Sequence, residues 1–255
     1  MSILEERLAV PEASDQATIY NDISERLAAG EFAAGSRLKA DDLRRHYGVS
    51  SSTMREVLFR LAHNGFADFE EQRGFQMPAA SMERMLEVRH MRILLESEGA
   101  RLSIANGDME WEARLNAAHH KLAHIEVKMR TAERLREHIA IWTRFDWEFH
   151  ETLVSACGSQ LLQEMLKGLF FRYRQLLVGL VTNYGFRSGT VDEHKAILDA
   201  ALERDPARCA EAIRYHYSFL DDLDQPGVKG FGVANQEVAN PGMTNPAIAG
   251  TRVLK

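Results

Sequence analysis

Residues 40–65 read ADDLRRHYGVSSSTMREVLFRLAHNG, and this stretch decides the fold of the N-terminal part. Leu43 and Tyr47 lie one helical turn apart and predict a short helix over residues 40–47. Gly48 and Val49 break it, and Ser50, Ser51 and Ser52 offer oxygens that can cap a second helix. Met54, Val57, Leu58 and Leu61 share one face of that second helix, which runs to about Asn64 before Gly65 stops it. A helix, a short turn with glycine and a second helix make the layout of a helix-turn-helix.

The flanks complete a small domain. Upstream, Ile19, Ile23 and Leu27 recur at helical spacing over residues 16–29, and Gly30 ends the run. Downstream, Phe66–Phe69 and Phe75–Met77 flank a polar tip at residues 70–74, and Pro78 closes it. This reads as a β-hairpin wing. Residues 1–15 show no periodicity and read as an arm. The first domain therefore spans residues 1–78, a winged helix-turn-helix.

From Met82 the pattern turns wholly helical. Runs over 82–105, 109–129, 132–156, 159–182, 188–203 and 206–223 predict an all-α bundle, assigned to residues 79–224. Pro206 suits the first turn of the last helix. Residues 225–255 hold Pro226, Pro241 and Pro246 with little apolar periodicity and read as a flexible tail. The fold class expected is mainly α, a winged helix followed by a helical bundle.

Composition limits the function. The 255 residues are 45% hydrophobic and 27% charged, as in globular proteins. The two cysteines, Cys157 and Cys209, form no CxxC pair, which argues against a disulfide framework or a cysteine zinc site. The longest apolar run, Leu176 to Val181, is six residues, far from the ~20 a membrane span requires. No secretory signal is visible, and a cytoplasmic, membrane-free protein is expected. The net charge of −6 alone argues against nucleic acid, but residues 37–60 carry six basic residues against three acidic ones.

That basic window holds the candidate DNA contacts. Ser51, Ser52, Thr53 and Arg55 open the second helix, the element that enters the major groove in this motif. Hydroxyls and a helix N-terminus suit phosphates, and an arginine suits phosphate or guanine. Arg44 on the preceding helix, and Arg73 with Gly74 at the wing tip, complete the set.

A second constellation lies in the helical region. Asp146 and His150 are four residues apart on one helical face. His194 opens a later helix, and His216 sits on the last one. Three imidazoles and one carboxylate could hold a divalent transition metal with coordination positions left open. Spacing alone does not bring them together, and on spacing alone they read as ordinary core or surface side chains. The His119–His120 pair and His124 read as a solvated helical face.

The string from Ala29-Gly-Glu-Phe through Gly48-Val-Ser, Met54-Arg-Glu-Val-Leu, Gly65-Phe and Arg73-Gly-Phe resembles the winged helix of the GntR family. It departs from the family at Ser51, where an arginine is usual, at Thr53, often proline, and at Lys39, usually a capping serine. Residues 82–223 resemble the FCD effector domain that accompanies such winged helices. The resemblance implies that Asp146, His150, His194 and His216 hold a metal, zinc foremost, with nickel, manganese and iron compatible. It also implies that Arg92, followed by Glu96, helps bind an effector carboxylate. By spacing, Arg172 and Arg174 lie toward the bundle interior and are expected to line that pocket. Gly158-Ser159 stands where the family often has Gly-Asn, a change in capping.

The function expected is a transcriptional regulator, not an enzyme. It would bind a palindromic operator as a homodimer, under control of a small organic acid that alters the placement of its two DNA-binding heads. A metal-dependent enzyme on the bundle is the alternative, since an open metal site can activate water. An interaction scaffold with an incidental metal site is a third reading.

Overall fold

The computed structural model describes residues 15–79 and 81–223. The expected arm and tail lie outside these residues, except Asp15. Its carboxylate accepts from Thr18 N at 2.7 Å and so caps α1 (Gln16–Ala28).

The helix-turn-helix is α2 (Ala40–Tyr47) and α3 (Ser51–His63). Gly48 ends α2 in the left-handed region at φ 66°, a conformation that costs glycine little. Lys39 occupies the N-cap of α2 without a side-chain bond, so the unusual residue noted in the sequence leaves that cap unmade. Of the three serines, Ser50 is the cap of α3: its Oγ accepts from Thr53 N at 3.1 Å. Ser51 and Ser52 therefore fall inside the first turn.

The wing is shorter than its sequence suggested. β1 (Asp68–Glu70) pairs antiparallel with β2 (Gly74–Gln76), with Phe69 opposite Phe75. Phe66 and Ala67 are buried in the core instead of joining the strand. A third segment was not foreseen. Leu38 N donates to Phe75 O at 2.8 Å and Met77 N to Ser36 O at 2.8 Å, which stitches the turn before α2 to the wing.

The bundle comprises α4 (Met82–Asn106), α5 (Met109–Arg130), α6 (Arg136–Val154), α7 (Gln160–Tyr184), α8 (Thr190–Leu202), α9 (Pro206–Tyr217) and α10 (Phe219–Leu223). Ser81, Asp108 and Asp205 cap α4, α5 and α9. Ser159 Oγ accepts from Leu162 N at 3.2 Å and performs the same task for α7. Two boundaries differ from the sequence pattern. α6 begins at Arg136 and not at residue 132, because a few residues must reverse the chain between the packed helices α5 and α6. The last helix divides at Ser218, whose Oγ donates to Tyr215 O at 2.8 Å and competes with the helical ladder.

Two apolar clusters result. Trp111, Leu115, Leu122, Trp142, Phe149, Leu153, Ile197 and Ile213 centre the bundle. Ile19, Ile23, Leu27, Met54, Leu58, Leu61 and Phe75 centre the winged helix. Phe170 and Phe171 of α7 belong to the second cluster, so a bundle helix forms part of the winged-helix core.

Candidate metal centre and DNA-reading face

α6, α8 and α9 bring His150, His194 and His216 together in the bundle, and Asp146 joins them beside His150 and His194, where it also groups with Glu126 and His194. Asp146 and His150 share a face of α6, and both are buried along with His194 and His216. The ligating atoms of the three histidines lie within 4.8 Å of one another. Asp146 Oδ1 stands 3.6 Å from His150 Nε2 and 3.4 Å from His194 Nε2. Bonds of ~2.0–2.2 Å to a common ion place ligand atoms ~3–4 Å apart, so the spacing suits a metal.

The outer ring of carboxylates is the more telling feature. His150 Nδ1 meets Glu96 Oε1 at 2.5 Å, His194 Nδ1 meets Glu126 at 3.1 Å, and His216 Nδ1 meets Glu193 Oε2 at 3.0 Å. Each imidazole thus spends one nitrogen on a carboxylate, which fixes its tautomer and turns Nε2 inward. The Nε2 atoms of His150 and His194 are buried without a well-formed hydrogen bond. Buried polar atoms are normally satisfied, so this pair of orphans points to a group that the protein itself does not supply. The residues present fit a divalent transition metal.

Titration behaviour reflects the same excess of negative charge. Burial opposes a charged His194, yet Glu126 and Asp146 raise it to about 10. His150 is raised against burial by Glu96 and Asp146. Burial and the neighbouring His194 lower His216 to about 4. Glu96 falls to about 2 despite burial, through His150 and Arg92.

Two arginines border the cluster. Arg174, fully buried, donates to Asp146 Oδ2 at 3.3 Å and Thr143 Oγ1 at 3.0 Å, with its guanidinium 3.5 Å from the Trp142 ring centroid. Arg92 is caged by Phe170, Tyr173 and Tyr217 at 4.9–5.0 Å and meets Glu96 at 3.3 Å. Its Nε, the Nε of Arg174 and the Tyr173 hydroxyl are buried without partners. Arg172 corrects the expectation: two residues before Arg174, it faces away from the cluster and packs its guanidinium over Gly65 of the winged helix. Residues two apart on a helix point to nearly opposite sides. His119 is also a correction to the solvated face, since it is half-buried against Phe149 at 5.8 Å.

Sequence reading missed Glu126 altogether. Its signal was a carboxylate at core spacing between Leu122 and Met129, both buried.

On the winged helix, Ser51, Ser52 and Arg55 are exposed at the start of α3 and Thr53 is half-buried there. The Ser50 hydroxyl lies 2.8 Å from both the Ser52 and Thr53 hydroxyls, so these two are tied into the cap. Arg37, Lys39, Arg45, Arg55, Arg73 and Gly74 line one groove of about 480 Å³, with Asp41 and Asp42 also on its wall, a net excess of positive charge. Arg44 lies outside that lining, held by Asp41 at 2.8 Å. Gly74 has φ +74°, which a side chain would strain.

The FCD domain family matches residues 87–219, and the family described as bacterial regulatory proteins, gntR family, matches residues 15–77. The chain belongs to the GntR family. An HTH-type transcriptional regulator, BphR of Paraburkholderia xenovorans, is 39% identical over 74% of this chain and 77% of its own. The HTH-type transcriptional repressor GlaR of Escherichia coli is 28% identical over 77% of this chain and 90% of its own. Among solved structures, E. coli McbR/YncC superposes with a TM-score of 0.70 at 19% identity, covering 84% of this chain and all of that one. A GntR regulator from Rhodococcus shares the fold at a TM-score of 0.66 and 19% identity, over 82% of this chain and 94% of that one. This GntR-family chain is therefore a DNA-binding transcriptional regulator with an FCD domain, and its relatives are regulators and not enzymes. No helix among the described residues is long and apolar enough to cross a membrane.

Proposed function

We propose that the FCD domain holds one divalent transition metal on Asp146, His150, His194 and His216, and that a small monocarboxylate bound beside it controls operator binding. Zinc is the ion best suited to three imidazoles and a carboxylate; nickel, manganese and iron fit the same donors. The convergence of three imidazoles, each anchored through Nδ1 to its own buried carboxylate, carries this reading. When bound, the metal supplies an open coordination position for a carboxylate oxygen.

Charge counting narrows the effector. Glu96, Glu126, Asp146 and Glu193 bring four negative charges; Arg92, Arg174 and Arg187, the last paired with Glu193, bring three positive. A dication and neutral imidazoles leave one positive charge, which one carboxylate balances. Buried charge without compensation is costly, so the count favours a monoanion. Arg92 and Arg174 each have an unpartnered buried Nε, and they are the groups that would grip it.

The exposed start of α3 and the basic groove support operator binding, and two heads in a homodimer would read a palindrome. Cytoplasmic location follows from that role. Elemental analysis of the purified protein beside Asp146→Ala/His194→Ala tests the site. About one metal per chain in the native protein and none in the variant is expected. Metal in neither, after reloading, overturns the reading. A gel shift on the protein's own upstream region, at several salt concentrations, tests operator binding.

A further inference from the structure

Helix α7 touches both halves of the molecule through adjacent residues. Arg174 reaches inward to Asp146 and Thr143. Gln175, the next residue, reaches the winged helix: its Nε2 donates to the Phe66 carbonyl at 3.0 Å and meets Met77 Sδ at 3.5 Å. Phe66 follows the recognition helix α3, and Met77 follows the wing strand β2. One amide therefore holds the root of both DNA-reading elements.

The surrounding fit is close. A Cβ on Gly65 would lie 3.0 Å from the Arg172 guanidinium, and one on Gly30 would lie 2.4 Å from Val178 Cγ1. Phe170 is buried in the winged-helix cluster and also lies against the guanidinium of Arg92 at 4.9 Å. The cluster side and the head side of α7 lie on one continuous helix, Gln160–Tyr184.

We propose that α7 is the lever by which the histidine cluster sets the position of the winged helix, and that Gln175 is its grip. Gln175 is a positioning residue, since it reaches the winged-helix root and not the cluster. A helix transmits displacement as a stiff rod, and interface helices in switching proteins move by ~1–2 Å. A hydrogen bond of 3.0 Å is lost after about 0.5–1 Å of such movement. A shift of α7 at Arg174 is therefore felt at Phe66 through the next residue along the helix. The coupling half of this proposal rests on the metal reading above; the grip does not.

Spin labels at Glu71→Cys on the wing and Glu110→Cys on α5, in full-length protein diluted into unlabelled protein, report the distance between head and bundle. Zinc is the probe, with metal content measured in the same samples. The unsubstituted background should give one narrow distance that zinc shifts. Gln175→Glu, which keeps the shape but sets a carboxylate against the Phe66 carbonyl, should broaden the distance and lose the zinc shift while binding as much zinc. Gln175→Leu provides the same comparison without a buried charge. Distance distributions unchanged in both variants overturn the grip. A zinc-loaded protein whose distance does not move overturns the lever. A protein that takes up no zinc fails the metal reading, and the grip is then judged on the broadening alone.

Discussion

Glu193 precedes His194 in the chain, yet its carboxylate accepts from His216 Nδ1, 3.0 Å away on another helix. His194 takes Glu126 of α5 instead. Adjacent residues on α8 point about 100° apart, so Glu193 and His194 serve different parts of one cluster. Glu193 thereby orients a ligand supplied by α9.

This pairing makes Glu193→Gln informative. The amide keeps the size but loses the charge that orients His216. Zinc affinity, measured against a chromophoric chelator, should fall ~10–100-fold, the usual cost of losing such an outer partner. Unchanged affinity would place His216 outside the ligand set.

Arg92→Met should separate the effector from the metal. Arg92 contacts Glu96 at 3.3 Å and none of the four proposed ligands by hydrogen bond or ion pair. Metal content should stay near that of the parent protein, while affinity for responsive monocarboxylates in calorimetry falls about 10–100-fold, the worth of a charge-assisted hydrogen bond. Loss of metal with the substitution would assign Arg92 a structural role.

The metal-free protein should respond to alkali. His194 is raised from its ordinary 6.5 to about 10 against burial, through Glu126 and Asp146. Its protonated form stabilises the fold fully below pH 6.5, and that contribution is lost as pH rises through about 10. Thermal unfolding of chelated protein should therefore show Tm falling between these limits. Zinc-loaded protein should hold its Tm there, because the imidazole is already deprotonated on the metal. Parallel curves for both forms would contradict this account.

The head offers a contrast between neighbouring serines. Ser50→Ala removes the cap of α3 and should destabilise the protein by about 1 kcal/mol, read by denaturant unfolding. Ser51→Ala, at an exposed position in the first turn, should leave stability unchanged and weaken only operator binding. Arg55→Gln and Arg73→Gln should each lower DNA affinity, and loss of a phosphate contact should reduce the salt slope by about one.

Much of the fold was legible in the chain because local rules govern it. Leu43 and Tyr47, Gly48, Ser50 and the Met54–Leu61 face encode helix, stop, cap and helix within a few residues of each other, and the structure follows them. The divided last helix was not legible, because Ser218 breaks it through a side-chain bond that periodicity does not register.

By itself, the sequence determined the order of elements, the winged helix before the bundle, and the family to which both belong. It also placed Asp146 and His150 on one face, since a four-residue spacing does so in any α-helix. Only the tertiary structure decided that His194 and His216 join them, that Glu96, Glu126 and Glu193 stand behind the imidazoles, and that Arg172 turns to the winged helix while Arg174 turns inward. Those facts depend on how helices separated by many residues rotate and pack against one another. Helical periodicity states which residues share a face, and packing alone states what that face meets.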